Sequence, residues 1–325
     1  MKAVTVNDDQ TMSWTEVEQP VAGAGEVLIR VHATAINRAD LMQRRGFYPP
    51  PAGASAIMGL ECAGEIVAVG SDVDRWHVGD RVCALLSGGG YAEYAVAPMG
   101  SVLPVPAGLS FVQAAALPEV FATAWLNLFI EAGLMPGEKV VLHAGASGVG
   151  TAGIQLCKSF GNPCFVTAGN DEKISACIAL GAAAGSNRNE GSFLEKAVAF
   201  AGAAGVDVIL DPVGGAYLED NLKLLGMNGR LVLIGLMGGS KSEIELAMLM
   251  MKRLRVIGST LRARPIAEKA QIMGQLEEQV WPKIATGEIQ AIIDTVYDIK
   301  DVNKAHDQVA SDTTLGKVVL SVVAA

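Results

Sequence analysis

The residues with the clearest chemical potential lie in the stretch HAGASGVG, residues 143–150. It follows an apolar run, 139–142, that is typical of a buried strand. Gly145 and Gly150 stand where the dinucleotide-binding pattern G-x-G-x-x-G has its first and last glycines, but Ser147 replaces the middle one. In that pattern the first glycine permits a tight turn, the last lets helix and strand pack closely, and the helix N-terminus faces a pyrophosphate. Ser147 still offers its backbone amide, and we expect its hydroxyl to donate a hydrogen bond into the cleft.

The surroundings of this stretch distinguish a nucleotide site from a merely structural glycine-rich turn. After residue 118, apolar strand-like runs alternate with helical ones, which predicts a parallel sheet covered on both faces. The predicted strands are 140–143, 165–167, 184–187, 206–211, 230–235 and 254–258, and the predicted helices are 148–160, 171–180, 191–201, 215–226 and 243–252. A glycine turn at the head of such a series indicates a dinucleotide-binding domain.

The residues after the second predicted strand indicate which dinucleotide binds. An NAD site usually has Asp or Glu there, about 20 residues past the glycine turn, to bind the ribose hydroxyls. This chain has Gly169 and Asn170 instead, with Lys173 one turn into the next helix and Arg188 after the third strand. Small residues with cations behind them attract a 2′-phosphate, so the sequence predicts NADPH as the cofactor.

Acidic residues and ordinary surface positions provide the alternative to a 2′-phosphate site. Asp171 and Glu172 follow Asn170 directly and would repel a phosphate, although acids are also common in the first turn of a helix. Lys173 is compatible with a solvated helix position, and Arg188 is compatible with a surface arginine. Of the two interpretations, the 2′-phosphate site is the one that the sequence favours.

Residues 1–118 are richer in strands and in turn residues. Apolar runs at 27–31, 65–69 and 80–85 are separated by clusters of glycine and proline, which is typical of a compact, barrel-like β domain. After the last strand of the alternating series, a helical stretch, 268–286, and a closing strand, 317–323, remain. The fold class is therefore predicted as α/β, with a β-rich domain beside a doubly wound parallel sheet.

Composition excludes several classes of function. The 325 residues suffice for two domains, and the formal net charge of −9 at pH 7 argues against nucleic acid as a partner, since phosphate binding needs a basic face. No apolar run approaches the roughly 20 residues of a membrane span, and the start MKAVTVNDDQ lacks a signal-peptide pattern, so we expect a cytosolic protein. The cysteines have no C-x-x-C spacing and are expected to be reduced core residues: Cys62, Cys83, Cys157, Cys164 and Cys177.

The order of a β domain, an inserted Rossmann domain and a return to the first domain resembles the medium-chain dehydrogenase/reductase superfamily. This resemblance implies a GroES-like catalytic domain over 1–118 and 259–325, and a Rossmann domain over 119–258. The zinc enzymes of the superfamily have an early Cys, a His-Glu pair after a glycine, and a four-cysteine lobe; this chain has NRAD (37–40) and GLE (59–61) in those places and no such lobe. The histidines share no ligand spacing and are expected to be structural, which predicts no zinc: His32, His77, His143 and His306.

The motifs resemble those of the zinc-free branch over nearly the whole chain. Six segments are similar to NADPH-dependent quinone oxidoreductases: NRADLMQRRGFYPPPAG (37–53), GLECAGEIVAVG (59–70), AGASGVGTAGIQL (144–156), LGAAAG (180–185), GLMGG (235–239) and LRAR (261–264). The resemblance implies that NADPH reduces a small-molecule quinone without a metal. The net charge and the lack of a long apolar run predict that neither nucleic acid nor a membrane is a partner.

The same resemblance implies a set of site residues. Tyr48 matches a tyrosine that lines the quinone pocket, and Arg188 replaces a tyrosine that relatives often have after the third strand, which favours the phosphate interpretation. The implied cofactor contacts are Asn37 and Thr123 near the nicotinamide, Ser147, Gly148 and Val149 in the central turn, Gly169, Asn170 and Lys173 at the 2′-phosphate, and Leu236 and Met237 beside the nicotinamide half.

The role of Tyr48 and the reaction itself have alternatives. A quinone that accepts a hydride develops charge on an oxygen, and a tyrosine hydroxyl would stabilise that charge. An aromatic pocket wall and a purely structural loop position are the other interpretations of Tyr48. At the level of the whole protein, an NADPH-dependent enone or enoyl-thioester reductase and a non-catalytic NADPH-binding protein are the alternatives. The first would need a basic channel, for which the candidates are Arg38, Arg44 and Arg45.

The last strand of the predicted sheet indicates a homodimer. An uncovered edge at 254–258 would expose unpaired backbone groups, and pairing with a two-fold mate would remove that edge. The methionine-rich run 246–251 would add apolar contact, although a simple core helix explains those methionines equally well.

Overall fold

The structure is a computed structural model that describes residues 1–323. These residues form two compact units, the first containing residues 1–122 and those from 261 onward, and the second containing residues 123–260. The domain limits at 118/119 and 258/259 inferred from the sequence stay a prediction.

Residues 1–323 form fifteen strands and eleven α-helices, numbered in chain order. Up to residue 125 they are β1 (Lys2–Val6), β2 (Met12–Glu16), β3 (Glu26–Ala35), α1 (Arg38–Arg44), β4 (Glu61–Val69), β5 (Arg81–Leu85), β6 (Tyr94–Pro98), β7 (Val102–Pro104), α2 (Phe111–Ala114) and α3 (Pro118–Trp125). The next are β8 (Val140–Leu142), α4 (Gly148–Ser159), β9 (Cys164–Ala168), α5 (Asp171–Leu180), β10 (Ala184–Asn187), α6 (Leu194–Ala201), β11 (Val206–Asp211), α7 (Leu218–Leu224), β12 (Leu225–Leu233), α8 (Leu246–Lys252) and β13 (Arg255–Gly258). The chain then forms α9 (Ile266–Gln279), α10 (Trp281–Ala285), β14 (Ile293–Asp298), α11 (Val302–Ala310) and β15 (Lys317–Ser321).

The first unit contains a seven-stranded, mostly antiparallel sheet. Its strands follow the order β14-β15-β3-β4-β5-β7, with β6 also paired to β3, and a separate β1-β2 hairpin lies beside it. Strand β3 carries Val27, Ile29 and Val31 at every second position, and all three are fully buried. Because side chains alternate across a strand, this spacing places all three on one face, where they contribute to the core of the sheet.

The second unit is a doubly wound parallel sheet. Its six strands follow the order β10-β9-β8-β11-β12-β13, and all five pairings are parallel. Strand β8 is therefore the first strand of the series and lies in the middle, with the order reversing between β8 and β11. This arrangement confirms the predicted Rossmann fold, in which ligands bind outside the carboxyl ends of the strands at the reversal point.

The predicted helix 268–286 was wrong in one respect, because it is two helices. The first, α9, ends at Gln279, and α10 begins at Trp281 with Pro282 in its first turn. A proline has no N–H to donate and clashes with the carbonyl group four residues earlier, which here belongs to Glu278. Continuation of α9 through this position is therefore unfavourable.

The cysteines are reduced core residues, as their spacing predicted. All five are buried and none is paired in a disulfide. Burial raises the pKa of the Cys62 thiol and, to about 12, that of Cys177, so both stay neutral at pH 7.

Within residues 1–323, no helix combines the length and apolar character needed to cross a bilayer.

Candidate cofactor and acceptor site

The turn between β8 and α4 has the close packing that its glycines predict. A Cβ atom on Gly145 would lie 2.7 Å from Cβ of Val166 on the neighbouring strand. A Cβ atom on Gly150 would lie 2.4 Å from the carbonyl oxygen of Ala144. The first amides of a helix have no intrahelical acceptor, so the N-terminus of α4, with Gly148 and Val149, presents donors at the carboxyl edge of the sheet. This turn fits the pyrophosphate of a dinucleotide.

Ser147 has a structural role that the sequence did not reveal. It is the N-cap of α4, with extended backbone angles of φ −71° and ψ 167°. Its Oγ atom accepts a hydrogen bond from the amide of Gly150 at 3.1 Å. A hydroxyl group can accept and donate at the same time, so the expected donation of its proton to a cofactor stays a prediction.

The carboxyl ends of β9 and β10 bring together the residues predicted to bind a 2′-phosphate. A Cβ atom on Gly169 would lie 3.5 Å from Nη2 of Arg188, so the guanidinium lies directly against this glycine. The Oδ1 atom of Asn170 caps α5 by accepting from the amide of Lys173 at 2.8 Å. Lys173 therefore lies in the first turn of α5, as predicted. Its contact with a phosphate remains a prediction.

Two neighbours of this group were missed at the level of the sequence. Asn189 donates from Nδ2 to the carbonyl oxygen of Gly169 at 2.7 Å, which holds the β10–α6 connection against the end of β9. The Oδ1 atom of Asp171 accepts from Nδ2 of Asn187 at 3.2 Å. The acid that would repel a phosphate is thus bound to a neutral amide, and nothing in the spacing of these residues signals the contact.

A buried chain of hydrogen bonds lies behind the glycine turn. Nδ2 of Asn221 donates to Oδ2 of Asp211 at 3.0 Å, which leaves its Oδ1 to accept from Nε2 of His143 at 2.7 Å. Nδ1 of His143 is then the acceptor for the Thr167 hydroxyl at 3.1 Å, and that hydroxyl accepts from the amide of Ala144 at 3.3 Å. His143 is therefore a structural histidine with both ring nitrogens satisfied.

Burial determines the charge state of the titratable groups in this chain of hydrogen bonds. It lowers the pKa of His143 to about 4, so the ring is neutral at pH 7. It raises the pKa of Asp211 to about 6, while the amides of Val213 and Gly214 and the side chain of Asn221 act in the opposite direction. These hydrogen bonds thus connect the glycine turn to the loop after β11.

The residues predicted beside the nicotinamide half lie on α3 and in the loop after β12. Leu236 and Met237 are 57% and 44% exposed, which leaves their apolar side chains available to a ligand. A Cβ atom on Gly214 would lie 2.9 Å from Cδ2 of Leu236, so the loops after β11 and β12 pack against each other. Thr123 is half-buried on α3, and its carbonyl oxygen accepts from Nδ2 of Asn127 at 2.7 Å.

In the first unit, Lys317 pairs with Glu61, the glutamate of the GLE segment that stands where the zinc enzymes have their His-Glu pair. Nζ of Lys317 lies 2.7 Å from Oε1 of the fully buried Glu61, and it also donates to Oδ1 of Asn37 at 2.7 Å and to the carbonyl oxygen of Ile36 at 2.8 Å. Nδ2 of Asn37 donates to the same Glu61 oxygen at 2.9 Å.

These contacts do not fit a zinc ion. Oε2 of Glu61 accepts from the amide of Glu119 at 2.9 Å, so both carboxylate oxygens are engaged, and the preceding residue, Leu60, is buried and apolar. In the part of the chain that the structure describes, no three His, Cys, Asp or Glu side chains are grouped as a metal site. The predicted contact of Asn37 with a nicotinamide would use an amide group that already binds Glu61 and Lys317.

Asp40 anchors the segment that follows Asn37. Its carboxylate accepts from the amides of Asn37 at 2.8 Å and Gly59 at 3.1 Å and from the Tyr91 hydroxyl at 3.2 Å. The Tyr91 hydroxyl is also 3.1 Å from Nε2 of the buried His306. Burial raises the pKa of Asp40 to about 6, although the three donors favour its charged form. This group positions the start of α1.

Tyr48 lies beside an arginine. Its side chain is half-buried, and the Arg262 guanidinium carbon is 5.3 Å from the centre of its ring. Nη1 of Arg262 also donates to the carbonyl oxygen of Tyr48 at 3.2 Å. Burial and then the charge of Glu119 raise the pKa of Tyr48, whereas Arg262 lowers it. The sequence had singled out Arg262 only as part of the LRAR segment.

Comparison with known proteins agrees with this architecture. Residues 23–107 match the family model of the alcohol dehydrogenase GroES-like domain, and residues 148–278 match that of the zinc-binding dehydrogenases. The chain is 32% identical over 308 residues to a quinone oxidoreductase of Rattus norvegicus, covering 94% of this chain and 92% of the relative.

Solved structures extend the comparison. The quinone oxidoreductase of Escherichia coli complexed with NADPH superposes with a TM-score of 0.87 at 27% identity over 98% of both chains. The CurK enoyl reductase superposes with a TM-score of 0.84 at 29% identity, again over 98% of both chains. On its sequence identity, its GroES-like sheet and its Rossmann sheet, the chain belongs to the quinone oxidoreductase family of the medium-chain dehydrogenases/reductases.

Proposed function

We propose that this protein is an NADPH-dependent quinone oxidoreductase that transfers a hydride without a metal ion. The observation that carries the proposal is the glycine turn at the head of the parallel sheet, with Arg188 against Gly169 where an NAD site would have an acid. The similarity to the rat and Escherichia coli quinone oxidoreductases supports it. A cytosolic location stays a prediction of the sequence.

The second unit would bind the cofactor, which supplies a hydride when bound. The amides of Gly148 and Val149 at the N-terminus of α4 would donate to the pyrophosphate. Arg188 would pair with the 2′-phosphate, and Lys173 would add a second positive charge. Leu236 and Met237 would cover the nicotinamide ring with apolar side chains.

The first unit would serve the acceptor through Tyr48. A hydride brings one proton and two electrons to the quinone, so that one oxygen is left with a negative charge. The Tyr48 hydroxyl would donate a hydrogen bond to that oxygen, and a proton from this hydroxyl or from water completes the hydroquinone. A donor aimed at an oxygen that gains charge acts in the transition state more strongly than in the ground state.

A reductase of enones or enoyl thioesters is the second candidate. The similarity to the CurK enoyl reductase favours it, because the same turn and a pocket tyrosine would also serve an enolate oxygen. The arginines that are candidates for the basic channel of such an enzyme are partly engaged, since Arg38 lies 3.5 Å from Asp312 and Nε of Arg44 donates to the carbonyl oxygen of Gln10 at 2.6 Å. A non-catalytic NADPH-binding protein is the remaining alternative, and it would bind the cofactor without turnover.

The direct test is reduction of 1,4-naphthoquinone by NADPH, followed at 340 nm, with crotonyl-CoA as the competing acceptor. We expect quinone turnover, and dialysis against EDTA should leave it unchanged. Tyr48→Phe should lower kcat up to ~100-fold, since loss of one such donor costs about 3 kcal/mol in comparable sites. Activity that disappears with EDTA and returns with zinc would contradict metal-free chemistry, and turnover of crotonyl-CoA alone would establish the second candidate.

Cofactor preference should follow the residues around Gly169. NADPH is expected to bind at least ~10-fold more tightly than NADH, a difference of about 1.4 kcal/mol, because a cation replaces the acid at the ribose. Lys173→Ala and Arg188→Ala should weaken NADPH and leave NADH unchanged in fluorescence titrations. Lys196→Ala on α6, where the lysine pairs with Glu190, is the matched control. Equal affinity of the unmodified protein for both cofactors would refute this site.

Ser147 offers a test of the hydroxyl in the turn. Ser147→Gly should change the melting temperature little, because glycine at an N-cap costs only a few tenths of a kcal/mol. It should weaken NADPH binding up to ~10-fold and lower turnover at least as much, since one neutral hydrogen bond contributes about 0.5–1.5 kcal/mol. Ser147→Val should be worse because a branched side chain crowds the turn. Ser110→Gly, at the N-cap of α2, is the control; unchanged kinetics of Ser147→Gly would leave the serine with its capping role alone.

The edge of the Rossmann sheet supports a homodimer. Strand β13 is the last of the six, Val256 on it is 41% exposed, and Met250 and Met251 on the adjoining α8 are 75% and 69% exposed. Sedimentation at micromolar concentration should give twice the chain mass of 33.8 kDa. Val256→Lys should shift the protein toward monomer, and Val21→Lys, at a residue 86% exposed on the first unit, should not. A monomeric unmodified protein would rule the dimer out.

A further inference from the structure

Two neighbouring cations are buried in the first unit, one of which, Arg262, lies beside Tyr48. Arg262 is 4% exposed and Lys269, on α9, is 7% exposed. Nζ of Lys269 donates to Oγ of Ser87 at 2.7 Å and to the carbonyl oxygen of Arg262 at 3.0 Å, so the two residues are joined directly. Charged groups are rarely buried without a carboxylate partner, because desolvation of the charge is costly.

The hydrogen bonds of this pair all end on uncharged acceptors within residues 1–323. Arg262 donates from Nε to the carbonyl oxygen of Ser87 at 2.8 Å, from Nη1 to that of Tyr48 at 3.2 Å and from Nη2 to Oε1 of Gln43 at 2.8 Å. Lys269 likewise binds a hydroxyl and a carbonyl oxygen. The positive charge of the pair is therefore hydrogen-bonded but not neutralised by contact.

The two cations and their titratable neighbours influence one another electrostatically. Burial lowers the pKa of Arg262 and of Lys269, and Arg262 lowers that of Lys269 further. Tyr48, Asp40 and Glu119 raise the pKa of Arg262, and Glu119 raises that of Lys269 and of Tyr48 as well. Arg262 is the group that lowers the pKa of Tyr48, so its field favours negative charge at the phenol oxygen.

The position of Arg262 makes this field specific. Its guanidinium carbon lies 5.3 Å from the centre of the Tyr48 ring. The same guanidinium donates a hydrogen bond to the backbone carbonyl oxygen of Tyr48. A cation held in a dry environment stabilises a developing anion more than in water, since the effective dielectric constant is lower. A hydrogen bond from the tyrosine hydroxyl becomes stronger when a cation favours the phenolate.

We propose that Arg262, supported by Lys269, is the electrostatic partner of Tyr48 and stabilises the negative oxygen formed on the acceptor when the hydride arrives. This inference rests on the proposed function and defines its acceptors as rings or carbonyl compounds whose reduced form carries an oxygen anion. In the balanced step, quinone, NADPH and a proton give hydroquinone and NADP⁺. Arg262 is a positioning residue because it acts through Tyr48.

The competing interpretation is that Arg262 only fastens the Tyr48 loop to Gln43 and Ser87. Three variants separate the two roles. Arg262→Gln removes the charge, Arg262→Lys keeps it, and Gln43→Leu removes one of the three acceptors without changing the charge. Arg264→Gln is the matched control, since Arg264 belongs to the same segment and lies 3.0 Å from Glu268.

The first measurement is calorimetric binding of two probes, 2-hydroxy-1,4-naphthoquinone, which is an anion at neutral pH, and its uncharged 2-methoxy analogue. The preference for the anion should fall about tenfold in Arg262→Gln, or about 1.4 kcal/mol. It should stay within about threefold of the unmodified protein in Arg262→Lys, Gln43→Leu and Arg264→Gln, which is a difference of at most about 0.65 kcal/mol. This readout does not require turnover.

The second measurement is the dependence of log kcat on the reduction potential of a series of naphthoquinones. Loss of Arg262 should make this dependence steeper, because weak acceptors need the most stabilisation of charge. An Arg262→Gln protein that keeps both the slope and the anion preference overturns the inference, and a Gln43→Leu protein that loses both would assign the effect to loop anchoring.

Failure to fold and failure of the proposed function have distinct outcomes. If thermal unfolding shows that Arg262→Gln is not native, Lys269→Gln decides, because it removes a charge of the pair and keeps the three side-chain bonds of Arg262. It should reduce the anion preference in the same direction, and an unchanged preference overturns the inference. An unmodified protein that reduces no quinone would instead refute the proposed function, and the inference with it.

Discussion

Close packing between the β8–α4 turn and strand β9 determines where this sheet can offer hydrogen-bond donors to a ligand. A side chain at position 145 would overlap Val166, and one at position 150 would overlap the carbonyl oxygen of Ala144. With glycine at both positions, the chain leaves β8 and enters α4 within a few residues, so the helix N-terminus lies at the edge of the sheet. The Ser147 cap then satisfies the Gly150 amide and leaves the amides before it to a bound anion.

Buried polar groups extend this constraint across the edge of the Rossmann sheet. Thr167 lies on β9, and His143 directly follows the neighbouring strand β8. Asn221 and Asp211 extend the hydrogen bonds from these residues to the loop after β11. A buried polar group without a partner is costly, so a network in which each member is satisfied holds these loops in one arrangement. The cofactor surface therefore depends on residues that need not touch a cofactor.

The first unit contains two arrangements of buried charge. Lys317 lies against Glu61 where the zinc pattern of the superfamily has its carboxylate, and Arg262 with Lys269 lies against the loop of Tyr48. Removing one partner of a buried ion pair is strongly destabilising, whereas a positive charge bound only to neutral acceptors keeps its field. The two arrangements thus differ in kind, because the lysine of the first has a carboxylate partner and the cations of the second are hydrogen-bonded to neutral acceptors.

The sequence by itself determined the class of fold and the position of the turn, because both follow from local patterns. Alternating apolar runs predicted six strands in a parallel sheet, which the structure confirms, and the spacing of Gly145 and Gly150 identified the turn between β8 and α4. Pro282 is the residue in the sequence that indicates the break in the predicted helix 268–286. Only the tertiary structure decided which distant side chains meet. Asn221 lies 78 residues from His143, and Arg262 lies 214 residues from Tyr48. Such contacts depend on how the strands and loops pack, and no local pattern of residue types encodes them.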